Sequence, residues 1–134
     1  MSRVKLTAAE VLKRYKDEDL PEFCEVALEH VNQPGNFGNS PLHVASVRGS
    51  IEELEALIAG GANVNGAGEH GNAPLHEAVG QGHTAAVEVL LNAGARINLT
   101  NSEGKTPRDI AEMLGFSAIL KILDGWSSKS GYLH

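Results

Sequence analysis

Cysteine is nearly absent from this sequence of 134 residues, since Cys24 is the only one. A single thiol excludes an intrachain disulfide and a zinc site built from several cysteines, which suits a reducing compartment. Long apolar runs are also missing: no segment approaches the roughly 18 consecutive apolar residues that span a membrane. The N-terminal residues lack the apolar run of a secretory signal. We therefore expect a soluble, cytoplasmic protein in which Cys24 is a buried structural thiol.

Positive charge is scarce as well, and the formal net charge is −6. Between residues 35 and 100 the only cations are Arg48 and Arg96, whereas six acids occur there: Glu52, Glu53, Glu55, Glu69, Glu77 and Glu88. Nucleic-acid binding needs a basic surface to meet the phosphates, so this composition argues against it. Two interpretations stay open: the acids favour a basic partner, or they simply keep the surface soluble.

One regular period runs through most of the chain. Gly38, Gly71 and Gly104 are 33 apart (71−38 and 104−71). Further positions repeat with the same step: Pro41, Pro74 and Pro107; Ala45, Ala78 and Ala111; Gly49, Gly82 and Gly115; Leu57, Leu90 and Leu123. Such a period is typical of a protein built from stacked structural repeats.

The repeated stretches resemble the ankyrin repeat family. They read GNSPLHVASVRGSIEELEALIAGGANVN at 38–65, GNAPLHEAVGQGHTAAVEVLLNAGARIN at 71–98 and GKTPRDIAEMLGFSAILKIL at 104–123. The resemblance implies an all-α solenoid of helix-turn-helix units joined by short hairpin-like loops. One such helix pair cannot bury its apolar face alone, so the units must stack.

Each unit has clear signals for its helix boundaries. Proline suits the first helical turn, because its missing N–H would have no intrahelical partner there; first helices should begin at Pro41, Pro74 and Pro107. Glycine adopts the left-handed conformation that closes a helix, and Gly49, Gly82 and Gly115 should end these helices. Second helices follow in each repeat, with their leucines and valines on one face.

We predict one ankyrin repeat domain over residues 1–124, followed by a polar tail at 125–134. The domain divides into a degenerate N-terminal cap repeat at 6–34, repeats at 35–67 and 68–100, and a C-terminal repeat at 101–124. In the cap, LTAAEVLKRY (6–15) and LPEFCEVALEHV (20–31) fill the two helix positions. The alternative is a loosely attached helical extension. Trp126 should cover the end of the last repeat, with the remaining tail mobile.

Histidine beside glutamate at residues 76 and 77, with His83 nearby, suggests a metal or acid/base site. The resemblance implies a structural role instead: His43 and His76 should hydrogen-bond within their own repeats, His43 to the hydroxyl of Ser40. Ala73 lacks that hydroxyl, which puts one bond of His76 in doubt. Neither a nucleophile with an oriented base nor a phosphate loop is recognisable, so we expect no enzyme activity, cofactor or metal.

The resemblance places partner binding on the concave face formed by the loops and first helices. The candidate protein-binding residues are Asn36, Phe37, Asn39, Val47, Arg48, Glu69, His70, Asn72, Gln81, Glu103, Lys105, Met113 and Leu114. Phe37 with Arg48 has the character of an interface hot spot, so alanine at both should cost binding but little stability. Phe37 folding back on the cap, and Leu114 packing inside the last repeat, are the alternatives.

The sequence thus predicts a non-catalytic protein-interaction module, monomeric, serving as an inhibitor, an immunity-type protein or an adaptor. Two other functions stay open. One is a structural subunit that assembles through the ends of its repeat stack. The other is a metal-binding or enzymatic protein that uses His70, His76, Glu77 and His83. The resemblance also makes Asn65 and Asn98 candidates for asparagine hydroxylation.

Overall fold

A computed structural model describes residues 5–130, and of residues 127–130 it describes the backbone alone. Within this range there is no strand. The α-helices are α1 (Ala8–Asp17), α2 (Pro41–Arg48), α3 (Ile51–Ala59), α4 (Pro74–Gly80), α5 (Thr84–Asn92), α6 (Pro107–Leu114) and α7 (Ser117–Ser130). Short 3₁₀ segments occur at Pro21–Phe23 and Glu69–Gly71. The predicted all-α class is confirmed.

The helices form two parallel rows. First helices α2, α4 and α6 pack against each other in order, and α1, α3, α5 and α7 form a second row behind them. The rows are joined by helix pairs within each repeat: α2 with α3, α4 with α5, and α6 with α7. Each repeat therefore buries its apolar side against both neighbours, which is how a repeat stack stabilises units that are too small to fold alone.

The first helices begin where the sequence predicts. Residues Ser40, Ala73 and Thr106 are extended, and a proline follows each as the first helical residue. Gly49 and Gly115 close α2 and α6 with φ of 69° and 74°. The left-handed conformation at these positions satisfies terminal carbonyl groups at no cost from a Cβ atom.

The core lies between the two rows and consists mostly of leucine and alanine. Leu42 and Leu75 enter it from the first helices, and Leu57, Leu90 and Leu123 enter it from the second helices. The last three recur with the step of the sequence repeat (90−57 and 123−90), so the sequence period is also the period of the core.

Asparagines tie successive repeats together on the loop side. Asn32 accepts from the backbone N–H of Asn63 at 2.7 Å, and Asn65 accepts from that of Arg96 at 2.8 Å. Each also donates to a glycine carbonyl of the next repeat, at 3.2 Å in both cases. Asn32 and Asn65 stand one sequence period apart and therefore perform the same task, as their register indicates.

The N-terminal cap differs from the expected helix pair. Helix α1 packs against α3, so it stands in the row of second helices and not in the first position. No α-helix forms over 20–31, where the structure has only the 3₁₀ turn Pro21–Phe23. Phe23 and Leu28 are both buried, although in an α-helix residues five apart point about 140° away from each other. Irregular backbone lets both enter the core.

The connection that replaces the missing helix covers residues 18–40 and is longer than the later connections between repeats, at 60–73 and 93–106. Phe23 stacks on Tyr15 of α1, with ring centroids 6.1 Å apart and planes 7° from parallel. Cys24 is only half-buried, so the prediction of a buried thiol is wrong. The cap consists of one helix and a loop whose Phe23 and Leu28 pack in the core.

At the C-terminal end, α7 continues through Gly125 to Ser130, so the predicted boundary between repeat and tail at 124 does not mark the end of the helix. Ile119, Leu123 and Trp126 are spaced at i, i+4 and i+7 and lie on one face, which keeps the helix packed beyond the boundary. Trp126 is half-buried against the core, as predicted. Residues 131–134, the rest of the predicted tail, lie outside the described residues.

Candidate protein-binding face

One side of the stack is formed by α2, α4, α6 and the three loop tips near residues 37, 70 and 103; we call it the first-helix face. The exposed large hydrophobic side chains of the described residues are Phe37, Val47, Met113 and Leu114, with 53%, 41%, 64% and 50% of their surface accessible. All four lie on this face. Phe37 does not fold back into the cap, and Leu114 does not pack inside the last repeat. The four side chains do not form one continuous patch, because Val47 lies on α2 and Met113 and Leu114 lie on α6, with α4 between them.

Three of the candidate residues form hydrogen bonds within and between the loops through their side chains. The amide of Asn36 donates to the carbonyl oxygens of Pro21 and Cys24, at 3.1 and 2.8 Å. Asn39 accepts from the backbone N–H of Glu69 at 2.8 Å. Asn72 accepts from the side chain of Asn101 at 3.0 Å. These asparagines hold neighbouring loop tips in register and so shape the face.

Arg48 also has a structural task, which the sequence did not indicate. Its guanidinium pairs with Glu18 at 2.8 Å and with the buried carboxylate of Glu53 at 3.1 Å. It also lies 5.2 Å from the ring centroid of Tyr15. Arg48 therefore has a structural role besides its predicted place on the binding face, which stays a prediction. Its partners in the cap, Glu18 and Tyr15, could not be foreseen, because α1 was assigned to the other row of helices.

The remaining candidates are more exposed. Glu69, His70, Gln81 and Glu103 are exposed, and Lys105 is half-buried. His70 stands at the tip of the second loop with φ of 60°, and its Nε2 lies 3.7 Å from a carboxylate oxygen of Glu69. The backbone N–H groups of Glu103 and Lys105 donate to the side chain of Asn101, at 2.9 and 3.0 Å, which fixes the third tip.

Glu77 on α4 also belongs to this face, although it was not among the predicted protein-binding residues. Burial raises the pKa of this half-buried carboxyl, and the nearby carboxylates of Glu69 and Glu22 raise it further. A hydrogen bond from Asn72 and the nearby His70 oppose this pKa shift. The carboxylates of Glu77 and Glu69 therefore lie near the centre of the first-helix face, with His70 beside Glu69.

Gly80 follows Glu77 by nearly one turn of α4 and occupies the position that Val47 has in α2 and Met113 in α6 (80−47 and 113−80 are both 33). A Cβ atom at Gly80 would meet no other atom within 4 Å, and its φ does not lie in the left-handed region. Glycine costs about 1 kcal/mol relative to alanine in a helix interior, and Gly80, as the last residue of α4, bears part of that cost. Neither packing nor backbone conformation accounts for this glycine.

The histidines of the repeated motif are part of the framework. Nδ1 of His43 accepts from the backbone N–H of Ser40 at 3.1 Å and lies 2.8 Å from its hydroxyl, as the resemblance implied. Nε2 then carries the proton and donates to the carbonyl of Asn72 at 2.8 Å. Burial lowers the pKa of His43, which keeps the ring neutral. The imidazole thus links its own repeat to the next.

His76 repeats this arrangement despite Ala73. Its Nδ1 accepts from the backbone N–H of Ala73 at 3.0 Å, and Nε2 donates to the carbonyl of Lys105 at 2.9 Å. Burial lowers its pKa also. His83 donates from Nε2 to the carbonyl of Val47 at 2.9 Å. Among the described residues, no group of three or more His, Cys, Asp or Glu side chains is placed to hold a metal ion.

The opposite side of the stack has a groove of its own, about 560 Å³ in volume, which we call the second-helix groove. It is lined by side chains of α3 and α5 and by the residues before α1, among them Leu6, Glu55, Ile58, Ala59 and Val89. In the described range no helix is long and apolar enough to cross a membrane.

A stack of helix pairs with capped first helices, inter-repeat asparagines and loop tips on one side defines a helical repeat protein. The family model for ankyrin repeats matches residues 8–101 in three copies, and the chain belongs to this family. No curated protein matched the chain in a comparison of sequences. The match ends before α6, yet α6 and α7 pack in the same two rows. Ankyrin repeats generally serve as protein-interaction modules and are typically not catalytic.

Proposed function

We propose that this chain is a non-catalytic binding module that engages a partner protein through its first-helix face and blocks a surface of that partner, as an inhibitor or immunity-type protein does. In this proposal the protein is cytoplasmic and monomeric. Adaptor function would need a second, separate binding surface, and the second-helix groove would be its place.

The observation that carries the proposal is the location of Phe37, Val47, Met113 and Leu114. These are the exposed large hydrophobic side chains of the described residues, and they share one face. Exposed large apolar side chains gathered on one face are a common feature of protein-interaction sites. The loop tips beside them are fixed by the asparagine hydrogen bonds, which lowers the ordering cost of binding.

Paired surface variants test the proposal. Val47→Ser with Met113→Ser removes apolar surface from the first-helix face, whereas Ala59→Arg obstructs the second-helix groove. Affinity capture from a native extract, followed by quantitative mass spectrometry, should recover a protein with the wild type and with Ala59→Arg but not with the serine variant. Recovery by the serine variant at the wild-type level would contradict the proposal.

Sedimentation over a range of protein concentrations separates this function from assembly through the repeat ends. A binding module keeps the mass of one chain, and a structural subunit grows with concentration. Circular dichroism of each variant provides the control for folding.

A further inference from the structure

The middle of the first-helix face is a depression between two apolar projections. Val47, Gly80 and Met113 occupy equivalent positions on three neighbouring helices, and only the outer two have side chains. Packed helices lie about 8–10 Å apart, so Val47 and Met113 stand about 16–20 Å from each other. We call this row, with its open centre above Gly80, the Gly80 saddle.

The open centre is a property of this residue and not of the fold at this point. Glycine is needed in a protein where φ is positive or where another atom is too close for a Cβ, and neither condition holds at Gly80. Both neighbouring repeats carry a large side chain at the same position. The empty space is therefore available to a group from outside the chain.

The charges around the Gly80 saddle are mostly negative. Glu77 lies nearly one turn before Gly80 on the same helix, and the carboxylates of Glu69 and Glu22 act on it electrostatically. The basic residues of the first-helix face have acidic neighbours of their own. Arg48 is paired with Glu18 and Glu53. Lys105 shares the third loop tip with Glu103. His70 stands beside Glu69.

We propose that the partner is a protein segment with a lysine or arginine at its centre and apolar side chains on both sides. The basic side chain enters the Gly80 saddle and pairs with the carboxylate of Glu77, while the apolar side chains contact Val47 on one side and Met113 on the other. This inference rests on the proposed function and specifies the chemistry of the partner.

The size of the saddle sets the size of the segment. A span of about 16–20 Å corresponds to about 11–13 residues in an α-helix, at about 1.5 Å per residue. The same span corresponds to about 5–6 residues in an extended chain. Charge complementarity of this kind selects a partner and guides its approach, whereas the apolar contacts at the two ends supply affinity.

A displayed library of randomised peptides, each long enough to span the saddle as a helix, is the probe for this test. Selection against the immobilised wild-type chain should enrich peptides in which a lysine or arginine is flanked on both sides by apolar residues. One enriched peptide is then synthesised, and its affinity is measured for each variant by fluorescence anisotropy. Gly80→Leu fills the saddle and should weaken binding at least tenfold. Glu77→Gln removes the charge and should do the same.

Gly125→Leu is the matched control. Gly125 is also a glycine within a helix whose Cβ would meet no atom within 4 Å, but it lies on α7. Both leucine variants should unfold at the same or a higher urea concentration than the wild type, because leucine favours a helix more than glycine does. Loss of binding by Gly80→Leu alone therefore reports on the saddle and not on folding.

Two results would overturn the inference. Enriched peptides without a central cation, or peptides that bind Gly80→Leu as tightly as the wild type, would show that nothing basic occupies the saddle. If such peptides bind the wild type but not the double variant with Val47→Ser and Met113→Ser, the first-helix face remains the binding surface. Only the proposed chemistry of the partner is then wrong. Peptides insensitive to every one of these variants would contradict the proposed function as well.

Discussion

Arg48 and Glu53 form an ion pair that joins the end of α2 to the start of α3 and anchors the cap helix α1 to both. Nε of Arg48 lies 3.1 Å from Oε1 of Glu53, whose side chain is only 1% accessible. Arg14 and Tyr15 of α1 reach the same carboxylate, at 3.0 and 2.7 Å. A buried charge of this kind is tolerated only while its partners surround it.

Arg48→Ala should therefore destabilise the fold by about 1–3 kcal/mol, because the carboxylate of Glu53 loses its least exposed cationic partner while Arg14 and Tyr15 remain. Urea unfolding followed by circular dichroism measures the change. Lys13→Ala serves as the control, since the Lys13 to Asp17 pair is 76% and 62% accessible. Exposed pairs contribute about 0–1 kcal/mol. Equal stability of Arg48→Ala and the wild type would show that this network does not hold the cap.

Two glycines that close first helices separate backbone strain from packing. Gly49 and Gly115 have φ of 69° and 74°, but a Cβ at Gly49 would lie 2.6 Å from the ring of His83, whereas one at Gly115 meets nothing within 4 Å. Gly115→Ala should cost about 1–2 kcal/mol, the strain of the left-handed conformation.

Gly49→Ala should cost about 1 kcal/mol more, because the imidazole must move and its bond to the carbonyl of Val47 is lost. Thermal unfolding of the two variants under identical conditions measures the difference. Equal losses of stability would mean that His83 can shift without cost.

The repeat period and the starts of the first helices could be predicted because each repeat contains its own signals, although α4 ends at Gly80 and not at the predicted Gly82. Pro41 begins α2 because of its own backbone chemistry. Gly49 ends α2 for an equally local reason, since glycine readily adopts the left-handed conformation. The cap could not be predicted in the same way. Its segment 20–31 has apolar residues compatible with a helix, but the burial of both Phe23 and Leu28 depends on contacts with distant parts of the chain, which sequence spacing does not specify.

Exposure on the candidate face was predictable at its apolar positions, whereas the ion pairs of its polar residues were not. Val47 and Met113 are exposed because the repeat register places them on the outer side of the first helices. Arg48 is adjacent to Val47 in sequence, yet it turns to Glu53 and Glu18, and no local pattern distinguishes the two cases. Gly80 had a detectable signal: it is a glycine within a helix at a position where both other repeats have a large side chain.

The two buried histidines should make the fold less stable in mild acid. Burial lowers the pKa of His43 and His76 below the ordinary value of 6.5, so between that value and the lowered one the unfolded chain binds more protons than the folded chain. Stability is then full above pH 6.5 and falls as the pH decreases through this window, by at most about 1.4 kcal/mol per pH unit for each histidine.

Urea midpoints between pH 7.5 and 5 measure this dependence. His76→Gln is the comparison, because its amide can still donate to the carbonyl of Lys105 but cannot take up a proton in this range. The slope of stability with pH should be smaller for this variant than for the wild type. Parallel curves would show that His76 does not contribute to the acid sensitivity.

Glu77→Gln should stabilise the fold at neutral pH while it weakens peptide binding to the Gly80 saddle. Burial and the carboxylates of Glu69 and Glu22 raise the pKa of Glu77 above 4.5, so the ionised form is the unfavourable one in the folded chain. The contribution of Glu77 to the stability of the fold is therefore full below pH 4.5 and is lost as the pH rises through the raised pKa of the folded chain. Glutamine removes this cost, for a gain of roughly 0.5 kcal/mol at pH 7.

Urea unfolding at pH 7 and pH 4 checks both the gain and its origin. The advantage of Glu77→Gln over the wild type should be present at pH 7 and should shrink at pH 4, where the wild-type carboxyl becomes neutral. Glu88→Gln, at an exposed glutamate of α5, is the matched control and should change stability at neither pH. A stability loss at pH 7 for Glu77→Gln would mean that the carboxylate is held for the fold, and the acidic centre of the face would then need no partner to explain it.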